Sequence, residues 1–436
     1  MNQIFNPKDY GAAGDGKTLD TKAIQTAIDK AGECKGTVHV PAGTYLTGSL
    51  FLKSHMEFHM EDGVVLLGTL DESAYPFIFS RVAGIEMEWP AAILNLYELE
   101  DVKVTGFGTI NGQGEFWWDK YWGPDRTGGM RRIYDAKDLR WVADYDCTRP
   151  RNLLVFRSKN IVLQNFTSKK SAFWNVHICY SEQVHVDGIT VKENEGPSTD
   201  GIDIDSSRYV LVENSTVACN DDNICIKSGR DADGLRVNRP SEEIEIKNCR
   251  LLVGAGVTLG SETSGGIRNV FIHDNEFLNT DCGFRMKSAM TRGGILEDIR
   301  VENLTMVNVR YPFSWNLNWH PKYSYCELPE GYEGEIPDHW KKLLERVPYE
   351  LGIPKVRNIT VRNVKAVMEP DYKGGSRAFD INAYPEKPME NITFEDIDLD
   401  VTEFGRIAVV ENIVWKNVKF KVAGENDAEK DTYDVR

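Results

Sequence analysis

The sequence predicts an all-β chain wound as a right-handed parallel β-helix, with a short N-terminal helix capping it. Two observations lead there. The first is a motif in which alternating apolar and polar residues run into an Asn or Asp. It appears as IVLQNF around Asn165, VHVDGI around Asp187, VLVENS around Asn214 and IEIKNC around Asn248. It returns as VFIHDNEF around Asn275, IRVENL around Asn303, ITVRNV around Asn363, ITFEDI around Asp396 and VWKNV around Asn417. The second is spacing: successive copies lie mostly about 21–34 residues apart, the period of a solenoid. Alternation marks short strands with one face turned to a shared core. A single coil cannot bury that face, but a stack of coils can. Asn side chains at equivalent turns would then hydrogen-bond along the stack, and loops of unequal length would make the period uneven.

The elements follow in chain order. Residues 1–50 form the N-terminal cap and first coils. Within them Ala23, Ile24, Ala27, Ile28 and Ala31 share one helical face, with Asp20 placed as N-cap and Gly32 as C-cap. Such a helix would cover the exposed strand edges at the solenoid's end. Residues 316–355 interrupt the repeat as an insertion. A second helix is expected there, with Trp340, Leu343, Leu344 and Val347 on one face. Residues 424–436 are polar and expected as a loose tail. No linker divides the 436 residues, so one domain is expected.

Composition narrows the function. Hydrophobic residues make up 41% and charged residues 27%, the balance of an ordinary globular protein. No apolar run is long enough to cross a bilayer. The start MNQIFNPKDYG has no basic end followed by an apolar stretch, so no signal peptide is visible. The expectation is a cytoplasmic protein, or a secreted or periplasmic one whose leader has been removed. The net charge of −16 argues against nucleic acid and anionic membranes as partners. A polyanionic substrate would require a local basic cluster. The eight cysteines form no Cys-x-x-Cys pair, and several, such as Cys179, Cys225 and Cys249, fall in apolar strands. They are expected as buried reduced thiols.

The chemistry-bearing stretch runs from Ser198 to Lys287. It contains STDGIDID, NDDNICIKSG, GAGVTLGSETSGG and GFRMKS. Asp200 lies about one coil before Asp221 and Asp222, so the three carboxylates would stack on one face of neighbouring coils. Crowded, partly desolvated carboxylates cannot all ionise freely, which raises at least one pKa. A raised acid can protonate a glycosidic oxygen while an ionised neighbour activates water. Asp and Gly also make ordinary turns, but three aspartates at coil spacing followed by a basic pair favour the functional reading. Arg285 and Lys287 are two apart on a strand and project from the same face. They supply the basic cluster, and Arg can hold a carboxylate with two parallel bonds.

Other signals have plainer readings. Gly254, Gly256 and Gly260 lack the spacing and following helix of a dinucleotide loop and are expected as tight turns. No metal site is expected, because the Asp cluster lacks a calcium-loop pattern and the eight His show no zinc spacing. Five Asn-x-Ser/Thr sequences fall in or beside repeat strands, so glycosylation is not expected. The aromatic group Phe116, Trp117, Trp118, Tyr121 and Trp122 either stacks on sugar rings or packs a loop against the solenoid.

Together these motifs resemble family 28 of the glycoside hydrolases, the polygalacturonases and their rhamnogalacturonan-cleaving relatives. The likeness covers nearly the whole chain, from NPKDYGAAGDGKTLDTKAIQTAID and VPAGTY onward. The family's ordered motifs are Asn-Thr-Asp, Gly/Gln-Asp-Asp, Gly-His-Gly and Arg-Ile-Lys. Here they read Ser198-Thr199-Asp200, Asn220-Asp221-Asp222, Gly254-Ala255-Gly256 and Arg285-Met286-Lys287. The resemblance implies hydrolysis of α-galacturonide linkages in pectic oligo- or polysaccharides by single-displacement inversion, with no cofactor. It implies that Asp221 is the general acid, and that Asp200 and Asp222 position and deprotonate the water. Arg285 and Lys287 would bind a galacturonate carboxylate, with Tyr311, His177 and Lys227 completing the substrate-binding set. Ala255 replaces the family histidine, which sets ordinary endo-cleavage of homogalacturonan in question and leaves a rhamnogalacturonan-specific galacturonohydrolase open. Segments 230–240 and 315–349, with the fragment GRDADGLRVNRP, are similar to bacterial exo-acting members. Two other classes remain open. One is a pectate-type lyase using an Arg or Lys base, commonly with calcium. The other is a sugar-binding protein without turnover, suggested by Ala255.

Overall fold

The computed structural model describes residues 3–423 and 430–435. Their backbone falls into two compact units, one built mainly from residues 3–82 and 86–221 and the other from 222–327 and 332 onward. Both are parallel β-helical stacks, the fold class that the repeat predicts.

In the first unit each coil contributes three short strands. One strip runs through Leu94–Tyr97, Leu153–Phe156, Val176–Cys179 and Ile202–Asp205, paired in parallel so that Leu94, Leu153, Val176 and Ile202 align in the core. A second strip aligns Val102, Ile161, Val184 and Val210. A third aligns Ile110, Ser168, Val191 and Val217. In the second and third strips alternation buries about one residue in two, whereas the strands of the first strip are buried almost throughout, and stacking equivalent positions lets each coil cover the apolar face of the next. At one corner a serine ladder replaces backbone pairing. Ser158 N–H donates to Ser181 Oγ, and Ser181 N–H donates to Ser207 Oγ, both at 3.0 Å.

In the second unit the same principle gives long bent strands, such as Ile267–Leu278 and Ile295–Val307, aligning Ile272, Val301, Val361, Phe394 and Trp415. Aromatic rings fill this core. Phe313 stacks on Phe379 at 5.5 Å and Phe394 on Trp415 at 4.8 Å between centroids.

The repeated Asn explains the bends. Asn165, Asn214, Asn248, Asn303, Asn363, Asp396 and Asn417 all have φ between 49° and 67°. This left-handed turn is one that Asn and Asp tolerate better than other side chains. Their amides also bridge coils. Asn303 donates to Asp274 at 2.9 Å, Asn363 to Asn303 at 2.8 Å and Asn417 to Asp396 at 2.7 Å. Two copies differ from the expectation. In VFIHDNEF the bend falls on Asp274, with φ 54°, because Asn275 is buried and holds Cys249 N–H at 2.9 Å and the Ile246 carbonyl at 3.0 Å. In VHVDGI Gly188 takes the positive φ, while Asp187 still accepts from Asn214 at 2.8 Å.

The N-terminal helix spans Thr21–Cys34 and buries Ile24, Ala27, Ile28 and Ala31. It caps the edge strand Leu50–Phe51 chemically as well as sterically. The Gln25 amide donates to the Phe51 carbonyl and accepts from the Phe51 N–H, both at 2.9 Å. Gly32 is not the C-cap: the helix continues to Cys34, and Lys35 takes the left-handed position. Gly32 is needed for packing, since a Cβ there would sit 2.6 Å from the Lys53 side chain. Asp20 holds the N-cap position, but its carboxylate accepts from Ala13 and Gly14 N–H instead of capping the helix.

The insertion contains the helix Asp338–Leu344, with Trp340 and Leu343 buried. Val347 lies beyond it, because Pro348 disfavours helical geometry at the preceding residue. Of the polar C-terminal segment, residues 424–429 and 436 lie outside the described residues. Lys430–Val435 forms a strand antiparallel to Val410–Ala423, a different arrangement from the loose tail expected there.

Among the described residues no helix is long and apolar enough to cross a membrane. Six cysteines are buried, and burial pushes the Cys282 thiol up to about 12, as for an inert core thiol.

Candidate active site

The Asp200 turn belongs to the first unit and precedes the strand Ile202–Asp205. It is fixed from several sides. Asn175 donates to the Asp200 carbonyl through its N–H at 2.9 Å and its amide at 3.1 Å. Ser198 adopts φ 53° and donates to the buried Asp144 at 3.3 Å. Arg149 donates to the Pro197 carbonyl at 2.8 Å. Asp200 itself is only 3% exposed, whereas Asp221 is half-buried. The turns carrying these two aspartates share an anchor: the Gly196 carbonyl accepts from Thr199 Oγ1 at 2.8 Å and from Asn220 Nδ2 at 3.2 Å. Register alone, one coil apart, is therefore reinforced by a common hydrogen-bond acceptor.

The second unit holds Asp222 and the basic pair. Strand pairing aligns Cys225, Thr258 and Arg285 on successive coils, so the two-coil separation read from the sequence is what the register delivers. Lys287 Nζ lies 2.7 Å from Asp222 Oδ2 and Arg285 Nη1 lies 3.4 Å from Oδ1. Alternation puts both cations on one face, as expected. Thr258 Oγ1 donates to Oδ1 at 2.6 Å. Burial pushes the Asp222 pKa up, but Lys287, Arg285 and Lys227 outweigh it and hold the carboxyl far below its ordinary range. Asp222 is thus a buried carboxylate that stays charged. Lys227 reaches Glu262 at 3.3 Å, and burial of Glu262 is likewise outweighed by Lys227 and Arg292.

The Gly254-Ala255-Gly256 segment is a tight turn. Asn223 Oδ1 accepts from Gly256 N–H at 2.8 Å, and a Cβ on Gly254 would collide with the Asn223 amide at 2.5 Å. Tyr311 is partly exposed at the start of the strand Tyr311–Asn316, with the Arg310 guanidinium 5.0 Å from its ring. His177 has no exposed surface; its Nε2 lies 3.5 Å from Asp205, and its ring meets Trp174 edge-on at 4.8 Å. His177, Cys179 and Asp205 bring metal-ligand atoms within 4.8 Å of one another. Arg81, 2.9 Å from Asp205, already supplies the positive charge a cation would bring.

Three contributors carried no usable sequence signal. Trp319, from the insertion, lies over both cations: its ring centroid is 4.6 Å from Lys287 Nζ and 5.8 Å from Arg285 Cζ. Glu262 and Thr258 sit in the GAGVTLGSETSGG run, where only the register with Arg285 would have singled out Thr258. The two segments read as loop insertions also meet. Arg230 Nη2 donates to the Tyr323 carbonyl at 2.7 Å, and Lys342 lies 3.9 Å from Asp233. The aromatic group at 116–122 mostly packs its loop: Trp117, Trp118 and Tyr121 are buried, while Phe116 is exposed and Trp122 half-buried.

Residues 32–329 match glycosyl hydrolases family 28. A probable polygalacturonase from Vitis vinifera is 33% identical over 71% of this chain and 62% of its own length. An exo-poly-alpha-D-galacturonosidase from Dickeya chrysanthemi is 28% identical over 70% of this chain and 56% of its own. The chain thus spans roughly three-fifths of the length of these curated relatives. Among solved structures, the hyperthermoactive exopolygalacturonase from Thermotoga maritima superposes with a TM-score of 0.77 at 26% identity. That match covers 100% of this chain and 94% of the other.

Proposed function

The chain belongs to glycosyl hydrolases family 28, and on that premise we propose that it hydrolyses α-galacturonide linkages in pectic oligosaccharides from one chain end. The observation that carries this reading is Asp222, a buried carboxylate held ionised by Lys287 and Arg285. A carboxylate held ionised cannot donate a proton, which assigns Asp222 to the water side of the reaction and not to the acid, although its depressed pKa makes it a weaker base than a free carboxylate. In the proposed step Asp222, aided by Asp200, takes a proton from water as the water oxygen bonds to the anomeric carbon. The glycosidic C–O bond breaks on the opposite face, and Asp221 gives its proton to the departing oxygen. Configuration inverts because attack and departure occur on opposite faces, as in two-carboxylate enzymes that accommodate a water between acid and base.

Arg285 remains 16% exposed on its side chain and can turn donors to a sugar carboxylate while still facing Asp222. Tyr311 and Lys227 are assigned to the substrate side by family likeness; His177, expected there too, is enclosed between Asp205 and Trp174 with no exposed surface and so is not placed to touch substrate. Exo action is supported by the paired insertions that meet at Arg230 and Tyr323 and carry Trp319 over the basic pair. It also agrees with the similarity to the exo-poly-alpha-D-galacturonosidase from Dickeya chrysanthemi and the exopolygalacturonase from Thermotoga maritima.

Digestion of polygalacturonate and of rhamnogalacturonan oligomers, with products followed from the first turnovers, tests the proposal. Monomeric galacturonate released from the start is expected. Early mixed oligomers would replace exo with endo action, an ultraviolet-absorbing unsaturated product lost with chelator would indicate a lyase, and binding without products would leave a sugar-binding protein.

A further inference from the structure

A groove in the first unit is used by none of the chemistry above. Its volume is about 410 Å³, within the range of about 300–1,000 Å³ usual for small-molecule sites. One wall is the end of the helix Gly114–Trp122 with the turn that follows, and the other is formed by Lys170, Glu193 and Glu195. Trp118 is locked in place: its Nε1 donates to the Ser171 carbonyl at 2.9 Å, and it packs so closely on Gly196 that a Cβ there would sit 2.1 Å from that nitrogen. Trp122 keeps part of its ring open, with the Arg126 guanidinium 5.9 Å from its centroid.

The charges of the groove select against an acid. Glu115, Asp119, Glu193 and Glu195 line it, against Arg126 and Lys170. The nearby cations already serve carboxylates: Arg126 lies 2.9 Å from Glu195, Lys169 lies 3.0 Å from Glu193, and Lys170 is bonded to Glu115. A sugar carboxylate would have to displace one of these while facing surplus negative charge. A neutral pyranose would lay its C–H face on Trp122 and donate its hydroxyls to the carboxylates. The groove also adjoins both acidic turns of this unit. Glu195 immediately precedes Gly196, whose carbonyl anchors Thr199 and Asn220, the neighbours of Asp200 and Asp221.

We propose that this groove is a subsite for an uncharged sugar unit of a pectic chain, favouring chains in which neutral sugars interrupt galacturonate. The inference rests on the pectic reading of the site and sharpens it to a substrate class. The test uses the full chain and two oligomers of equal length, one of galacturonate alone and one alternating galacturonate with rhamnose. Trp122→Ala is expected to lower the kcat/KM ratio of the mixed over the pure oligomer roughly tenfold, through KM, the scale of losing an aromatic anchor. Trp122→Phe should restore most of it. Glu195→Gln leaves the ring in place but releases Arg126, and should lower the same ratio by improving the pure oligomer. A ratio unmoved by Trp122→Ala and Glu195→Gln overturns the proposal. If neither oligomer is cleaved, the hydrolase reading fails on its own, and calorimetric titration with the same two oligomers still reads the ratio. Equal affinity for both, or none for either, overturns the subsite.

Discussion

Asp205 in the first unit and Asp222 in the second both lie without exposed surface, and both stay ionised. Asp205 is sealed. Burial pushes its pKa up, but Arg81 at 2.9 Å, with His177, outweighs that and holds it at about 2. Arg81 is itself fully buried, and Arg151 donates to its carbonyl at 2.8 Å. Asp222 is held by Lys287 and Arg285, of which Arg285 keeps part of its side chain exposed, with Trp319 across both. The same electrostatic solution therefore serves two ends. A buried pair whose partners are both enclosed specifies structure, whereas one whose cation still reaches outward can act on something that arrives.

Substitution at the outward-facing pair should have the largest effect. Asp222→Asn keeps the shape but removes the ionised group, and kcat on galacturonate oligomers is expected to fall roughly 100- to 10,000-fold, the contribution of a general base. Retention of the native circular dichroism would assign the loss to chemistry. A variant that kept more than a tenth of its activity would remove Asp222 from the mechanism. At the sealed pair the prediction is reversed. Arg81→Met leaves Asp205 buried and uncompensated, which costs about 3–5 kcal/mol of stability. The denaturant midpoint should drop, while kcat per folded molecule stays close to the parent value. A midpoint within error of the parent would mean that the pair is not structural.

The difference between the two pairs was only half visible in the sequence. Arg285 and Lys287 announce themselves because two residues apart on a strand means one face, and the two-coil spacing to Asp222 places them within reach. The left-handed bends at Asn303, Asn363 and Asn417 were legible for a similar reason, since each residue type matches a local backbone demand. Arg81 and Asp205 are 124 residues apart, and nothing local in either neighbourhood implies the other. Trp319 was hidden in the same way, lying in a segment without periodicity whose path is set by contacts such as Arg230 with Tyr323. Gly32 misled because a glycine near a helix end usually marks the cap, whereas here the constraint comes from Lys53, a neighbour outside the helix.

Acid titration separates the pairs further. Asp205 has a folded pKa of about 2 against an ordinary 3.8. A depressed carboxylate stabilises the fold above its unfolded pKa and loses that contribution as pH falls through the folded value. The window is therefore pH 4 down to pH 2, and the contribution lost is about 2 kcal/mol. Unfolding free energies measured at both ends should show it, and Asp205→Asn should flatten that part of the curve. An unchanged slope in this variant would mean that Arg81 does not hold the carboxylate charged.

The smallest effect is expected at the aromatic lid of the outward pair. The Trp319 ring faces the buried Lys287 at 4.6 Å and the partly exposed Arg285 at 5.8 Å, and the contact with a partly solvated cation is worth about 0.5–1 kcal/mol. Trp319→Ala should raise KM roughly two- to fivefold and leave kcat nearly intact, because the ring steadies the cations that meet the sugar carboxylate and touches no reacting bond. Trp319→Phe, which retains a π-face, should recover most of the loss. If the loop is held merely by the Trp319 backbone N–H, which donates to the Ser288 carbonyl at 2.9 Å and which both variants keep, then KM would stay put in both. In that case only the exposure of Arg285 would separate the working ion pair from the sealed one.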